Sequence, residues 1–377
     1  MNFAAVEHEM DAAVARGVFP GVVVLVNIGG QVVFHRAAGM RALEPERSPM
    51  REDTIFDLAS LTKPLATSLA MMIMLKERKI GLDDRVSRFF HNFGVHGKTH
   101  VTFRHLLANT SGLPAWRPYW KDILRIEREG RINFTASRGA KEYVYEAIQR
   151  EKPDAAAGAK TLYSDLGFML LGAVVEEVNG TTLDRYCHER IYKPLGLRAT
   201  SYVDLSLLRT RRLEPIADMI APTERCPWRK RVLCGEVHDD NAFAMGGVAG
   251  HAGLFSSARD IDRIATVLRE CYDGQSLFLP AAIVREFWRR NDPAGGSTWA
   301  LGWDTPSQQD STAGSELSRH SVGHVGFTGT SLWIDLERGM HVVVLSNRVH
   351  PSRDNDKIRE FRPLIHDLIV RAATAAS

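Results

Sequence analysis

FDLASLTKPLATSLAMM, residues 56–72, is the stretch on which the reading of the fold turns. It begins as loop and ends as an apolar helical run, so Ser60 falls where a loop enters a helix. Residues three apart on a helix share a face, which lets Ser60 Oγ and Lys63 Nζ meet across the first turn. A serine hydroxyl is a weak nucleophile until a neighbour takes its proton. An amine that is partly desolvated, or set near other positive charge, can lose its own proton and serve as that neighbour. The helix N-terminus adds partial positive charge beside a developing alkoxide. Taken alone, Ser-x-x-Lys is equally the pattern of an N-cap serine and an exposed lysine, so the rest of the chain decides.

Outward from that stretch, residues 61–78 read as one long helix with Gly81 after its end. Upstream, residues 3–16 have apolar positions near helical spacing. The runs GVVVLVNI (21–28) and QVVFHRAA (31–38) flank Gly29-Gly30, the signature of a hairpin with a two-glycine turn. The middle of the chain carries helical patterns such as KEYVYEAI, LGFMLLGAVVEEV and TLDRYCHERI. A capped helix opens at SSARDIDRIATVLREC. Strands return in TWALGWD, SVGHVGF, TSLWIDL and HVVVLSN, and a last helix runs from about Asp356 to Ala372. Strands from both ends can form one sheet without knotting. The expected class is therefore α/β (α+β): an antiparallel sheet flanked by helices, plus an all-helical subdomain. Residues 1–377 form one catalytic unit, with 1–79 and 250–377 as the sheet region and 80–249 as the mostly helical region.

Two further stretches carry chemistry. Tyr163-Ser164-Asp165 immediately precedes the helix LGFMLLGAVVEEV. A phenol on such a loop can relay a proton between nucleophile and leaving group if nearby cations lower its pKa. HVGFTGT, residues 324–330, falls on a C-terminal strand. Gly326 lets a substrate backbone approach, and the N–H of Phe327 can join that of Ser60 as an oxyanion donor.

Together, in this order and on these elements, the motifs resemble the serine β-lactamase and penicillin-binding protein superfamily, in its class C β-lactamase-like branch, for which Ser-x-x-Lys is a signature. FRHLLANTSGLP (103–114) and GHAGLFSSARDIDRI (250–264) extend the resemblance along the chain. It implies a β-lactamase/transpeptidase-like fold with the active site between sheet and helices. It implies Ser60 as the acylated nucleophile, Lys63 as its partner, Tyr163 as general acid/base and His324 in place of the usual lysine. Three departures stand out. Asp165 replaces asparagine and, being acceptor-only, is expected to pair with Lys63. His324 exchanges a permanent cation for a titratable one, which predicts an activity limb near roughly pH 6–7. Val325 lacks the usual hydroxyl. The implied function is a serine hydrolase that cleaves an amide or ester through an acyl-enzyme at Ser60. Its expected substrate is a D-amino-acid peptide, a muropeptide or a small ester. The alternatives are a true β-lactamase or a non-catalytic penicillin-binding or sensing module. No cofactor and no metal is needed.

Composition narrows the partners. Of 377 residues 44% are hydrophobic and 25% charged, as in a globular chain with a sizeable core. A net charge of +3 at this length is too small to imply a nucleic-acid or membrane partner. The opening MNFAAVEHEMDAAVARG lacks a signal-peptide pattern, which gives a cytoplasmic expectation. Cys187, Cys226, Cys234 and Cys271 fit no disulfide framework or zinc spacing and read as free thiols. GEVHDDNAFAMGGVAGHAG (235–253) gathers His238, Asp239, Asp240 and His251. It reads as a substrate-facing loop, with a divalent-metal site as its sharper alternative.

Overall fold

The computed structural model describes residues 1–212, 217–293 and 295–375. The two-glycine hairpin forms as expected: strand Gly21–Ile28 turns through Gly29 and Gly30, both at positive φ, into strand Gln31–Ala42. A six-stranded antiparallel sheet grows from it. Its order is Ser48–Pro49, Gln31–Ala42, Gly21–Ile28, Met340–Ser346, Ser331–Asp335 and Ser321–Val325. The first and last parts of the chain thus meet at its centre, where Val24 faces Val344 and Leu25 faces Val343.

Alternate side chains of a strand point to opposite faces, and both faces of this sheet are covered. Val22, Val24, Val342 and Val344 pack with Val6, Met10, Phe361 and Ile365 of helices Ala4–Ala15 and Ile358–Thr374. Val23, Leu25, Val343 and Leu345 join a larger core with helices Ala258–Asp273 and Asp165–Asn179. The strand Gly21–Ile28 is therefore buried on both sides, which accounts for its unbroken apolar run. All four cysteines are free thiols. Among the described residues no helix is long and apolar enough to cross a membrane.

Two expectations need correction. TWALGWD is not a strand. Trp299 and Asp304 form an isolated bridge, and Asp304 bridges onward to Gly323. Gly302 between them has φ +76 and sits where a Cβ would meet Ser68 Oγ at 1.9 Å, so the chain hooks back. The 61–78 segment is not one regular helix either. It opens as a 3₁₀ turn over Ala59–Leu61, passes through a π-helical turn over Lys63–Ser68, and becomes α-helical at Leu69–Lys76. Pro64 has no N–H to give the Ser60 carbonyl, so the regular ladder cannot close there.

The turn that carries Ser60 is stitched to the segment that follows the His324 strand. Thr328 Oγ1 donates to Asp57 O at 2.7 Å, and Thr330 Oγ1 donates to Leu58 O at 3.0 Å. Gly326 makes this contact possible: a Cβ there would lie 2.5 Å from Leu58 O. That atom is backbone and cannot swing aside. Gly326→Ala is expected to cost about 1–3 kcal/mol, read as a lowered thermal midpoint. A midpoint equal to that of the parent protein would show that the two segments can part freely.

Candidate active site

Lys63 lies at the centre of the site and is fully buried. Its ammonium has three protons and finds three acceptors. It donates to Ser60 Oγ at 3.0 Å and to His251 O at 3.0 Å, and pairs with Asp165 Oδ1 at 2.7 Å. The expected Asp165–Lys63 pair is thus present. Tyr163 OH donates to Ser60 Oγ at 2.8 Å, so phenol and ammonium converge on one hydroxyl. The Tyr163 ring stacks on Trp299 with centroids 5.1 Å apart.

Each group is placed by local structure. Ala59 adopts φ +47, a left-handed conformation that costs a non-glycine residue free energy. The buried Asp57 holds that turn: Oδ1 accepts from Ala59 N at 2.9 Å and Oδ2 from His238 N at 2.6 Å. Burial pushes the Asp57 carboxyl up. Tyr163 is held by the FRHLLANTSGLP segment. Leu162 N donates to Asn109 O, Ser164 N to Asn109 Oδ1, and Ser164 Oγ to Pro114 O. Ser164 then caps the following helix through Gly167 N.

The 235–253 loop is a support for this site. His251 supplies the carbonyl that binds Lys63, while its Nε2 lies 2.9 Å from Asp239 Oδ1. Burial opposes charge on Asp239, but His251 outweighs it and holds the carboxyl well below its usual range. His238 Nε2 meets Glu224 Oε2 at 2.7 Å. Each imidazole is thus paired with an acid, and Asp240 Oδ1 accepts from Arg229 Nη2 at 3.0 Å. Among the described residues no group of three His, Cys, Asp or Glu side chains is arranged to hold a metal ion.

Electrostatics revise three sequence expectations. Burial disfavours the Lys63 ammonium, but Asp165, then Tyr163, outweigh it, and its pKa is raised. Lys63 rests as a cation rather than as a free amine. Burial raises the Tyr163 phenol; Lys63 pulls it down and Asp165 pushes it up, with a net rise. His324 is 3% exposed. Burial, then Lys63, drives its imidazole down to about 3. Its Nδ1 lies 2.8 Å from Val325 O, which assigns the proton to Nδ1 and leaves Nε2 as a lone-pair acceptor. His324 is neutral in the working range and does not provide the limb expected near pH 6–7.

The site opens into a cleft of about 930 Å³, lined by Ser60, Tyr163, Asp165, His324, Gly326 and Phe327. Every sequence-predicted site residue except the fully buried Lys63 therefore lines this cleft, and Lys63 sits directly beneath Ser60. Trp299, Asp57, Arg348 and Arg362 were missed, and His251 was read only as part of a substrate-facing loop or, alternatively, a metal site. The first lies in the segment misread as a strand. The others act through backbone groups, which leave no spacing to read.

With this geometry in hand, comparison with known proteins places the chain. The family model for Beta-lactamase matches residues 5–366, and the chain belongs to that family. It is 33% identical over 382 residues to a putative D-alanyl-D-alanine carboxypeptidase of Escherichia coli K12, covering 93% of this chain and 84% of that protein. It is 31% identical over 370 residues to an N-acetylmuramyl-L-alanine amidase of Bacillus subtilis 168, covering 92% and 80%. Among solved structures, EstCE1, a hydrolase with promiscuous acyltransferase activity, superposes with a TM-score of 0.71 at 23% identity over 97% of both chains. That likeness concerns the fold.

Two outcomes follow from the electrostatics. Asp165→Asn keeps an acceptor but removes a negative charge that raises both Lys63 and Tyr163. Whichever group yields the catalytic proton, its pKa falls, so the rising limb of kcat/KM should move to lower pH by about one unit or more. A limb that stays in place would show that the base does not feel Asp165. His324→Gln should leave the shape of the profile between about pH 5 and 7.5 unchanged, whatever it does to the rate. A limb that disappears in this variant would show that the imidazole does titrate there.

Proposed function

We propose that this protein is a serine hydrolase that cleaves an amide bond in a peptidoglycan-derived peptide through an acyl-enzyme on Ser60. The observation that carries the reading is the convergence of Lys63 Nζ and Tyr163 OH on Ser60 Oγ, at 3.0 and 2.8 Å. Ser60 Oγ attacks the carbonyl carbon, and the serine proton enters the Lys63–Tyr163 pair. These two groups are coupled, so the base is the pair after loss of one proton rather than either residue alone. The same pair returns the proton to the leaving nitrogen, and an activated water then releases the acyl group.

The oxyanion formed at each step is met by the N–H of Ser60 and the N–H of Phe327. Phe327 N makes no hydrogen bond among the described residues and is free to donate. Gly326 N pairs back to Thr330 O at 2.7 Å, which turns the Phe327 N–H toward the opposite side, away from the sheet. Asp165 holds Lys63, and His324 offers an acceptor rather than a cation. A cation and a hydroxyl at positions 324 and 325 would attract the carboxylate of a β-lactam, and both are missing. The wall-peptide substrate is favoured by the names of the 33% and 31% identical relatives. Half-exposed Trp116 and Phe327 line the mouth and offer stacking surface to an extended ligand.

Kinetics on muropeptides, a p-nitrophenyl ester and a chromogenic cephalosporin, with intact-mass detection of an adduct, test this proposal. Muropeptide turnover should exceed cephalosporin turnover, and Ser60→Ala should abolish both turnover and adduct. A cephalosporin kcat/KM above about 10⁵ M⁻¹s⁻¹, within the range of efficient enzymes, would make antibiotic hydrolysis the function instead.

A further inference from the structure

Two buried guanidinium groups, Arg348 and Arg362, border the cleft beside the segment that follows the His324 strand, and the reaction sketched above does not use them. Arg362, 8% exposed, donates from Nη2 to Gly326 O at 2.5 Å and to Thr330 O at 3.1 Å. Arg348, 6% exposed, donates from Nε to Phe327 O at 2.7 Å, and its guanidinium carbon lies 4.4 Å from the Phe327 ring centroid. Among the described residues no carboxylate pairs with Arg362. Burial, then Arg348, pulls it down to about 9, and it stays a cation at neutral pH.

Gly326 O and Phe327 N belong to one peptide group. In an extended peptide the C=O and the N–H point in opposite directions. The cation therefore sits at one end of the same amide whose other end faces the cleft. A charge-assisted bond at a carbonyl oxygen draws electron density from the amide nitrogen. The N–H then becomes a stronger donor, as in any polarised hydrogen-bond chain.

We propose that Arg362 is a positioning residue that polarises the Gly326–Phe327 peptide so that the Phe327 N–H binds the oxyanion more tightly than the ground-state carbonyl. This rests on the reading of Phe327 N–H as an oxyanion donor. The effect follows the charge that develops on the reacting oxygen, so it belongs in kcat rather than in KM. Both acylation and deacylation pass through such an oxyanion.

The test uses the full chain, a p-nitrophenyl ester and phenylboronic acid, whose tetrahedral serine adduct places an oxygen among the oxyanion donors. Arg362→Met should lower kcat by about tenfold or more, less than loss of a whole donor. KM should stay within about twofold. The boronate inhibition constant should rise by a factor similar to the loss in kcat. Arg362→Lys keeps the cation and should recover part of both. If Arg362→Met does not fold by circular dichroism, Arg362→Lys alone should show a smaller, parallel change in kcat and boronate affinity. An unchanged kcat, a fall in kcat with unmoved boronate affinity, or an effect confined to KM would each overturn the proposal. The two possible failures separate. Turnover that survives Ser60→Ala removes the acyl-enzyme reading and this proposal with it. Turnover lost in Ser60→Ala but untouched in Arg362→Met overturns the polarisation alone.

Discussion

A lysine ammonium fully removed from water is the constraint on which the rest of the site depends. Burying an unpaired charge costs several kcal/mol even after relaxation. Lys63 is tolerated because three acceptors from three separate segments close around it. Ser60 Oγ comes from its own turn, Asp165 from the start of helix Asp165–Asn179, and the His251 carbonyl from the 235–253 loop. The Ser60 turn, the helical region and the loop are thereby fixed to one atom. Remove any of the three and the charge is under-satisfied, which ties correct assembly of the fold to correct assembly of the site.

The loop shows how far that demand reaches. His251 can offer its carbonyl only if its backbone is held, and its side chain is tied to Asp239. Asp239 in turn accepts from Ala242 N at 2.7 Å and so caps the short helix Asp240–Ala244. His238 N bonds Asp57, which also holds Ala59 in its left-handed conformation next to the nucleophile. The strain at Ala59 is therefore balanced by buried hydrogen bonds from a segment about 180 residues further along the chain. A cluster of histidines and aspartates that invites a metal reading in one dimension is a positioning scaffold in three.

What was legible in the sequence was what local spacing encodes. The Gly29-Gly30 hairpin and the Ser60–Lys63 pair each follow from residues within a few positions of one another. Tyr163 was legible because a polar triplet abuts a strongly apolar helix. The failures share a different cause. TWALGWD alternates like a strand, but Gly302 packs against Ser68 and bends it. The amine of Lys63 and the imidazole of His324 both lie near other charge and both are buried, yet they shift in opposite senses. A carboxylate, Asp165, stands beside Lys63, whereas the charges that act on His324 are the cations Lys63 and Arg362. Sequence spacing carries neither the depth of burial nor the sign of the partner. Arg348 and Arg362 left no trace because what they recognise is backbone.

The replacement of a cleft lysine by a neutral histidine then has a physical counterpart elsewhere. Positive charge that faces the cleft attracts any anionic substrate in the ground state as well as in the transition state, and uniform binding of that kind does not raise kcat. Here Lys63 is matched by Asp165, and His324 carries no charge. Two buried cations flank the Gly326–Phe327 segment: Arg362 contacts the Gly326 carbonyl and Arg348 the Phe327 carbonyl. In the proposed reaction the Arg362 field would reach the reacting oxygen through an amide dipole already oriented by the sheet, with no side chain left to reorganise as charge develops. In the proposed reaction, such an arrangement would favour a substrate whose carbonyl can become tetrahedral beside the Phe327 N–H. The cleft combines the aromatic Trp116 and Phe327 with charged Arg353, Arg359, Asp354 and Asp356 along its lining, and His324 Nε2 faces it as an acceptor for a neutral N–H or O–H.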